Sequence, residues 1–110
     1  MANPIRNLID GNLLQVDIVE DNRGIVGVIR TELNDKCLIV HPILYNPSKG
    51  RLKLMRKTCI QIMYRLKDEF GYIAFNLCTH NTRFIDMLFG NTVYKIGDHL
   101  EGVLYEYDMR

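Results

Sequence analysis

Five cations, Lys49, Arg51, Lys53, Arg56 and Lys57, fall within nine residues of the stretch "HPILYNPSKGRLKLMRKT" (41–58), which begins as an apolar run. Cations at this density beside the free N–H groups of a helix start suit an anion: a coenzyme phosphate, nucleic acid or an acidic protein surface. In the first turn a cation opposes the positive end of the helix dipole, at a cost of about 0.3–1 kcal/mol each, and Lys49 and Arg51 stand there. A bound anion would remove that conflict. The plainer reading, a solvated helix face, fits Lys53 and Lys57 best. An imidazole titrates near neutrality, so His41 offers a base, set against the commoner packed or surface histidine. Asp17, Glu20 and Glu32 could act as bases through water, or be ordinary solvated strand residues. Asn81 is placed to cap a helix.

Other chemistries find no support in the spacing. Cys37, Cys59 and Cys78 lie far apart among apolar neighbours, an odd count without C-x-x-C spacing, and read as small buried hydrophobes rather than disulfide or zinc partners. His41, His80 and His99 show no ligand spacing, so no metal is expected. Ser/His/Asp, H-E-x-x-H, phosphate-loop and dinucleotide patterns are absent, as are repeats. A chain of 110 residues, 47% hydrophobic and 25% charged, suits one domain over 1–110, with an N-terminal segment at 1–11 and a core at 12–110. Its net charge of +1 gives no overall attraction to nucleic acid, which is not favoured as a partner. No run of 18 apolar residues occurs and the N-terminus lacks a signal-peptide core. The expectation is a cytoplasmic or assembly-borne protein with no membrane partner.

The elements that must position these groups follow from periodicity. "LLQVDIVE" (13–20) alternates as a strand with one wet face, "DNRG" turns the chain, and "IVGVIRTEL" from Ile25 completes a hairpin. "CLIVHPILY" is a third strand, whose Pro42 implies an edge position, a bulge or a splay. From Ser48 the period changes: Leu52, Met55, Cys59, Ile62, Leu66 and Phe70 share one face of a helix of about five turns, with Ser48 as N-cap and Gly71 as C-terminal cap. "YIAFNLC" reads as a buried strand. A shorter helix follows, with Phe84, Ile85 and Leu88 inward, capped by Thr79 or Asn81 and ended by Gly90 or Asn91. "VYKIGDHLEGVLYEY" closes the chain as a hairpin. The fold class is α+β, in the order β-β-β-α-β-α-β-β, and "NPIRNLIDG" has room for a helical turn or two. Open edge strands favour self-association or a protein partner.

Three segments, "CLIVHPILYNPSKGRLKLMRKTCIQIM", "YIAFNLCTHNTRFIDMLFG" and "YKIGDHLEGVLYEY", together resemble the GNAT superfamily of acetyl-CoA-dependent N-acetyltransferases over roughly residues 12–107. Within it the chain is most similar to short, divergent GNAT-like proteins of tailed bacteriophages, including a small internal virion protein. The resemblance implies a truncated GNAT-like mixed sheet, with an antiparallel meander joined to a βαβ unit. It also implies acetyl-CoA as ligand, held by backbone groups of Leu38, Ile39 and Val40 and by Lys49, Gly50, Arg51 and Leu52. Asn76 and Asn81 then flank the place where the family sets polar groups near the thioester. Two departures matter. The family's pyrophosphate turn is rich in glycine, yet here only Gly50 remains before Leu52, Lys53 and Leu54, and "FIDMLFG" lacks the tyrosine that can protonate the leaving thiolate. The N-terminal portion that walls the acceptor site is also short. Two expectations result: a noncatalytic GNAT-fold phage protein serving as a virion or interaction component, or a minimal N-acetyltransferase acting on an amine.

Overall fold

Asp10 and Gly11 set the first feature of the fold, because both adopt left-handed φ angles, 52° and 80°. Two such residues between strands make the hairpin turn whose twist matches the strands, and Asp-Gly is a favoured pair for it. The chain before them is accordingly a strand, β1 (Ile5–Ile9), paired antiparallel with β2 (Asn12–Asp21), and the helical turns expected there do not form. The computed structural model describes the backbone of residues 4–33, 38–71, 74–79, 82–99 and 102–108, and their side chains except at 74–79, 82, 91, 99 and 108.

The remaining elements are β3 (Gly24–Leu33), β4 (Leu38–Leu44), α1 (Lys49–Phe70), β5 (Ala74–Thr79), α2 (Thr82–Phe89), β6 (Val93–His99) and β7 (Gly102–Asp108). The fold is α+β: one seven-stranded sheet in the order β1-β2-β3-β4-β5-β7-β6. β4 and β5, joined through α1, are its parallel pair. Their pairing covers two positions, Ile39 with Asn76 and Val40 with Leu77, whereas β4 pairs with β3 from Leu38 to Leu44. β4 is therefore an internal strand, so of the edge, bulge or splay that Pro42 implied the edge is excluded. The strands part just before Pro42, which has no N–H to offer a ladder.

Both helices pack on one face of the sheet. Met55, Cys59, Ile62, Met63 and Leu66 of α1 and Ile85, Leu88 and Phe89 of α2 share one core with Leu13, Val19, Ile29, Leu33, Leu38 and Val40. The expected α1 stripe is thus present, with Leu52 and Phe70 packed at its margins. Gly27 permits the close approach of α1: a Cβ there would collide with the Ile43 carbonyl oxygen and with Met55 Cε. Gly71, at φ 80°, ends α1 by donating its N–H to the Lys67 carbonyl at 2.7 Å, and Gly90 at φ 57° follows the end of α2.

One expectation inverts. In β2 the buried side chains are Leu13, Gln15, Asp17 and Val19, beneath α1, while Leu14, Val16 and Ile18 point to the opposite face and stay exposed or half-buried. The wet face read from the alternation is the buried one. Asp17 has no solvent exposure, so it is not a solvated base.

Candidate functional site

The loop between β4 and α1 is held by short-range contacts from both sides. Tyr45 donates its N–H to the Val26 carbonyl at 2.8 Å, and Asn46 takes a left-handed φ of 48°. Ser48 caps α1, its hydroxyl accepting from the Arg51 N–H at 3.2 Å, as its residue type predicts. The Arg51 guanidinium turns back over the loop: Nη1 donates to the Tyr45 carbonyl at 3.1 Å, and Nε lies 3.5 Å from Asp21 Oδ2. That cation is spent on fastening the loop. Leu52 and Leu54 are half-buried against the core. Gly50 faces open space, since an added Cβ would meet nothing within 4 Å.

Lys49, Lys53, Arg56 and Lys57 are exposed and form no ion pair among the described residues. Over its whole length α1 has seven Lys or Arg residues against two acids, Asp68 and Glu69 at its far end, a formal +5. The full chain carries +1, so everything outside α1 sums to −4. Lys49, Lys53 and Lys57 are spaced by four, which repels along the helix by a few tenths of a kcal/mol per pair, about 0.2–0.5. The electrostatic polarity of the molecule therefore lies on the solvent face of α1, with its acids elsewhere.

His41 and Glu32 lie on the sheet face that carries no helix among the described residues. His41 is 5% exposed, its Nε2 3.4 Å from Glu32 Oε2, and Arg30 Nε is 3.8 Å from Glu32 Oε1. A base would need reach to a substrate, and His41 is enclosed beside a carboxylate instead. Asn76 stands in register with Ile39 on one side and Glu106 on the other, two positions along β4 from His41. Glu106 Oε2 accepts from the Tyr94 hydroxyl at 2.6 Å. Asn81 lies outside the described residues. Ile39 and Val40 are paired to β3 and β5 at once, and Leu38 to β3. Beyond Val40, residues 41–44 of β4 have no β5 partner in the described sheet, which leaves a gap in the pairing there. The basic start of α1 follows that gap in the chain.

A polar relay that runs from the surface at Glu69 to a buried end at Asp17 went unread in the sequence. Glu69 accepts twice from Arg6, at 2.6 and 3.0 Å; Arg6 Nε donates to Gln15 Oε1 at 2.8 Å; Gln15 Nε2 donates to Asp17 Oδ2 at 2.8 Å. The relay fastens β1, whose five residues are all exposed, to β2 and to the end of α1. Burial pushes the Asp17 carboxyl above the usual carboxylate range, partly offset by the Gln15 hydrogen bond and by Arg65 and Arg6. Asp17 Oδ1 and the Thr31 hydroxyl, both buried, have no hydrogen-bond partner among the described residues. Cys59 is held at about 12 by burial first and the nearby Asp17 charge second, which makes its thiol inert. Polar residues at alternate positions of one strand signal this relay only when the covered face is known.

No three His, Cys, Asp or Glu side chains among the described residues group as a metal site, and no helix there is long and apolar enough to cross a membrane. A shallow pocket of about 190 Å³ lies between the end of β2 and α1, lined by Val19, Glu20, Leu54, Lys57, Thr58 and Gln61, away from His41. Compared with protein-family models, curated proteins and solved structures, the chain matches none.

Proposed function

We propose that the chain is a noncatalytic domain of GNAT-like architecture that serves as an interaction component, as in the virion-associated phage proteins its sequence resembles. The observation that carries this reading is the use of Arg51: at the turn where a coenzyme pyrophosphate would sit, its guanidinium is committed to the Tyr45 carbonyl and the Asp21 carboxylate. Leu52 and Leu54 add bulk where glycines would let a phosphate meet the backbone. His41, the nearest general-base candidate, is enclosed beside Glu32. Support for the architecture comes from the strand order, the single parallel pair with its short overlap, and the capped basic helix that follows.

One observation favours the alternative, a minimal acetyltransferase: residues 41–44 lack a β5 partner, and Lys49 stands exposed after them. In that case an amine would attack the thioester directly, with a β4 N–H polarising its carbonyl. Thermal-shift titration with acetyl-CoA separates the two. A ligand at 100 times its Kd stabilises the folded state by about 2.7 kcal/mol, a shift of several degrees. The interaction reading expects none at millimolar coenzyme. A saturable shift that Lys49→Glu abolishes would overturn it.

A further inference from the structure

The sheet face opposite the helices is apolar at most of its positions. Ile5 and Ile9 of β1, Leu14, Val16 and Ile18 of β2, Val28 of β3 and Ile43 of β4 share it, by alternation and by strand register, while Ile39 and His41 of β4 are already buried within the chain. Ile5 is 66% exposed, Leu14 47% and Ile43 44%. A solvated antiparallel face reads polar at such positions, so this surface has the composition of a covered one. Its polar centre is Arg30 and Glu32, two residues apart on β3, with His41 beside Arg30.

That centre is self-complementary. A two-fold axis between two stacked sheets, crossing the strands between Arg30 and Glu32, sets each Arg30 over the other copy's Glu32. It also sets Leu14 over Val16, because Val16 is in register with Arg30 and Leu14 with Glu32. We propose that this face docks a second copy of the same chain, forming an isologous sheet-on-sheet dimer. A net charge of +1 per copy opposes the approach little. The three strands β1 to β3, spaced about 4.8 Å apart and used over about six residues each, present with Ile43 a plan area of roughly 300 Å². That belongs to the small class of interfaces, so the dimer is weak and depends on concentration. It forms whether or not the chain binds a coenzyme.

Sedimentation velocity from about 1 to 300 µM spans the range in which so small an interface is populated. The expected result is a monomer–dimer equilibrium that Leu14→Glu and Ile43→Glu, both at exposed positions, each weaken at least about tenfold, with circular dichroism confirming the fold. Arg30→Glu and Glu32→Arg should each lose the dimer alone and regain it as an equimolar mixture, since only the mixed pair restores opposite charges at both contacts. A chain that stays monomeric throughout, which would leave this face to a different partner, overturns the proposal. So does a dimer indifferent to Leu14→Glu and Ile43→Glu.

Discussion

Gly27→Ala tests how the sheet admits α1. Gly27 pairs with Val19 on one side and Leu44 on the other, beside a register shift in β2, and a Cβ added to it would collide with the Ile43 carbonyl and Met55 Cε. Met55 can swing its flexible end aside. The Ile43 carbonyl belongs to β4, which is paired with β3 on both sides of it, and cannot move without pulling the strand. Overpacking of this kind costs about 1–3 kcal/mol, and a backbone obstacle puts Gly27→Ala in the upper half of that range. For a domain of this size that lowers Tm by roughly 8–15 °C. Urea denaturation of the single variants and of Gly27→Ala/Met55→Ala completes the cycle. Met55→Ala alone should cost about 2–5 kcal/mol, yet recover less than half of the alanine's penalty, because the carbonyl remains. A Gly27→Ala cost under about 0.5 kcal/mol, or full recovery on removing Met55, would refute the close approach and with it the positioning of the loop at Tyr45.

Other consequences are local. Ser48→Ala removes the hydroxyl that accepts from Arg51 N–H and should cost about 1 kcal/mol in urea denaturation, with Ser48→Asp close to wild type. Because burial raises the Asp17 pKa, the folded state holds that proton more tightly than the unfolded chain. The stability so gained is complete below the unfolded carboxylate range and is lost as pH rises through the folded pKa. Asp17→Asn should remove that fall from denaturation midpoints taken between about pH 3 and 7; an unchanged slope would contradict the assignment. Glu69 has the opposite sign, since the Arg6 hydrogen bond lowers its pKa: its contribution is present above the unfolded value and lost as pH falls, and Glu69→Gln should flatten that limb. The Cys59 thiol, at about 12 and fully enclosed, should resist iodoacetamide in the native protein and react in urea, as peptide mapping would show.

The parts of the fold that one stretch of chain decides were legible in the sequence. α1 announces itself by its period, its serine cap and the glycine that follows, and each of these is settled within a few residues. β1 was equally readable in principle, because Asp10-Gly11 marks a two-residue hairpin turn, but a nine-residue segment with scattered apolar side chains also fits a short helix. The site was less legible. Arg51 looks like every other cation in its cluster, and only the return of the loop over β2 and β3 brings Tyr45 and Asp21 to it.

β2 shows why a sheet face cannot be read from alternation alone. Leu13 and Val19 flank Gln15 and Asp17 on one face, while Leu14, Val16 and Ile18 occupy the other, so the strand makes two claims to burial. α1 settles the choice from a distance: it can approach only the face that Gly27 leaves open, and Gln15 and Asp17 lie on that face. The Arg6–Gln15–Asp17 relay makes their burial tolerable by supplying donors where water cannot. What remains is the more apolar claim, Leu14, Val16 and Ile18, facing outward. An isolated monomer leaves it half met. A second sheet laid across Arg30 and Glu32 meets it, and the pattern of β2 then agrees with its surroundings on both faces.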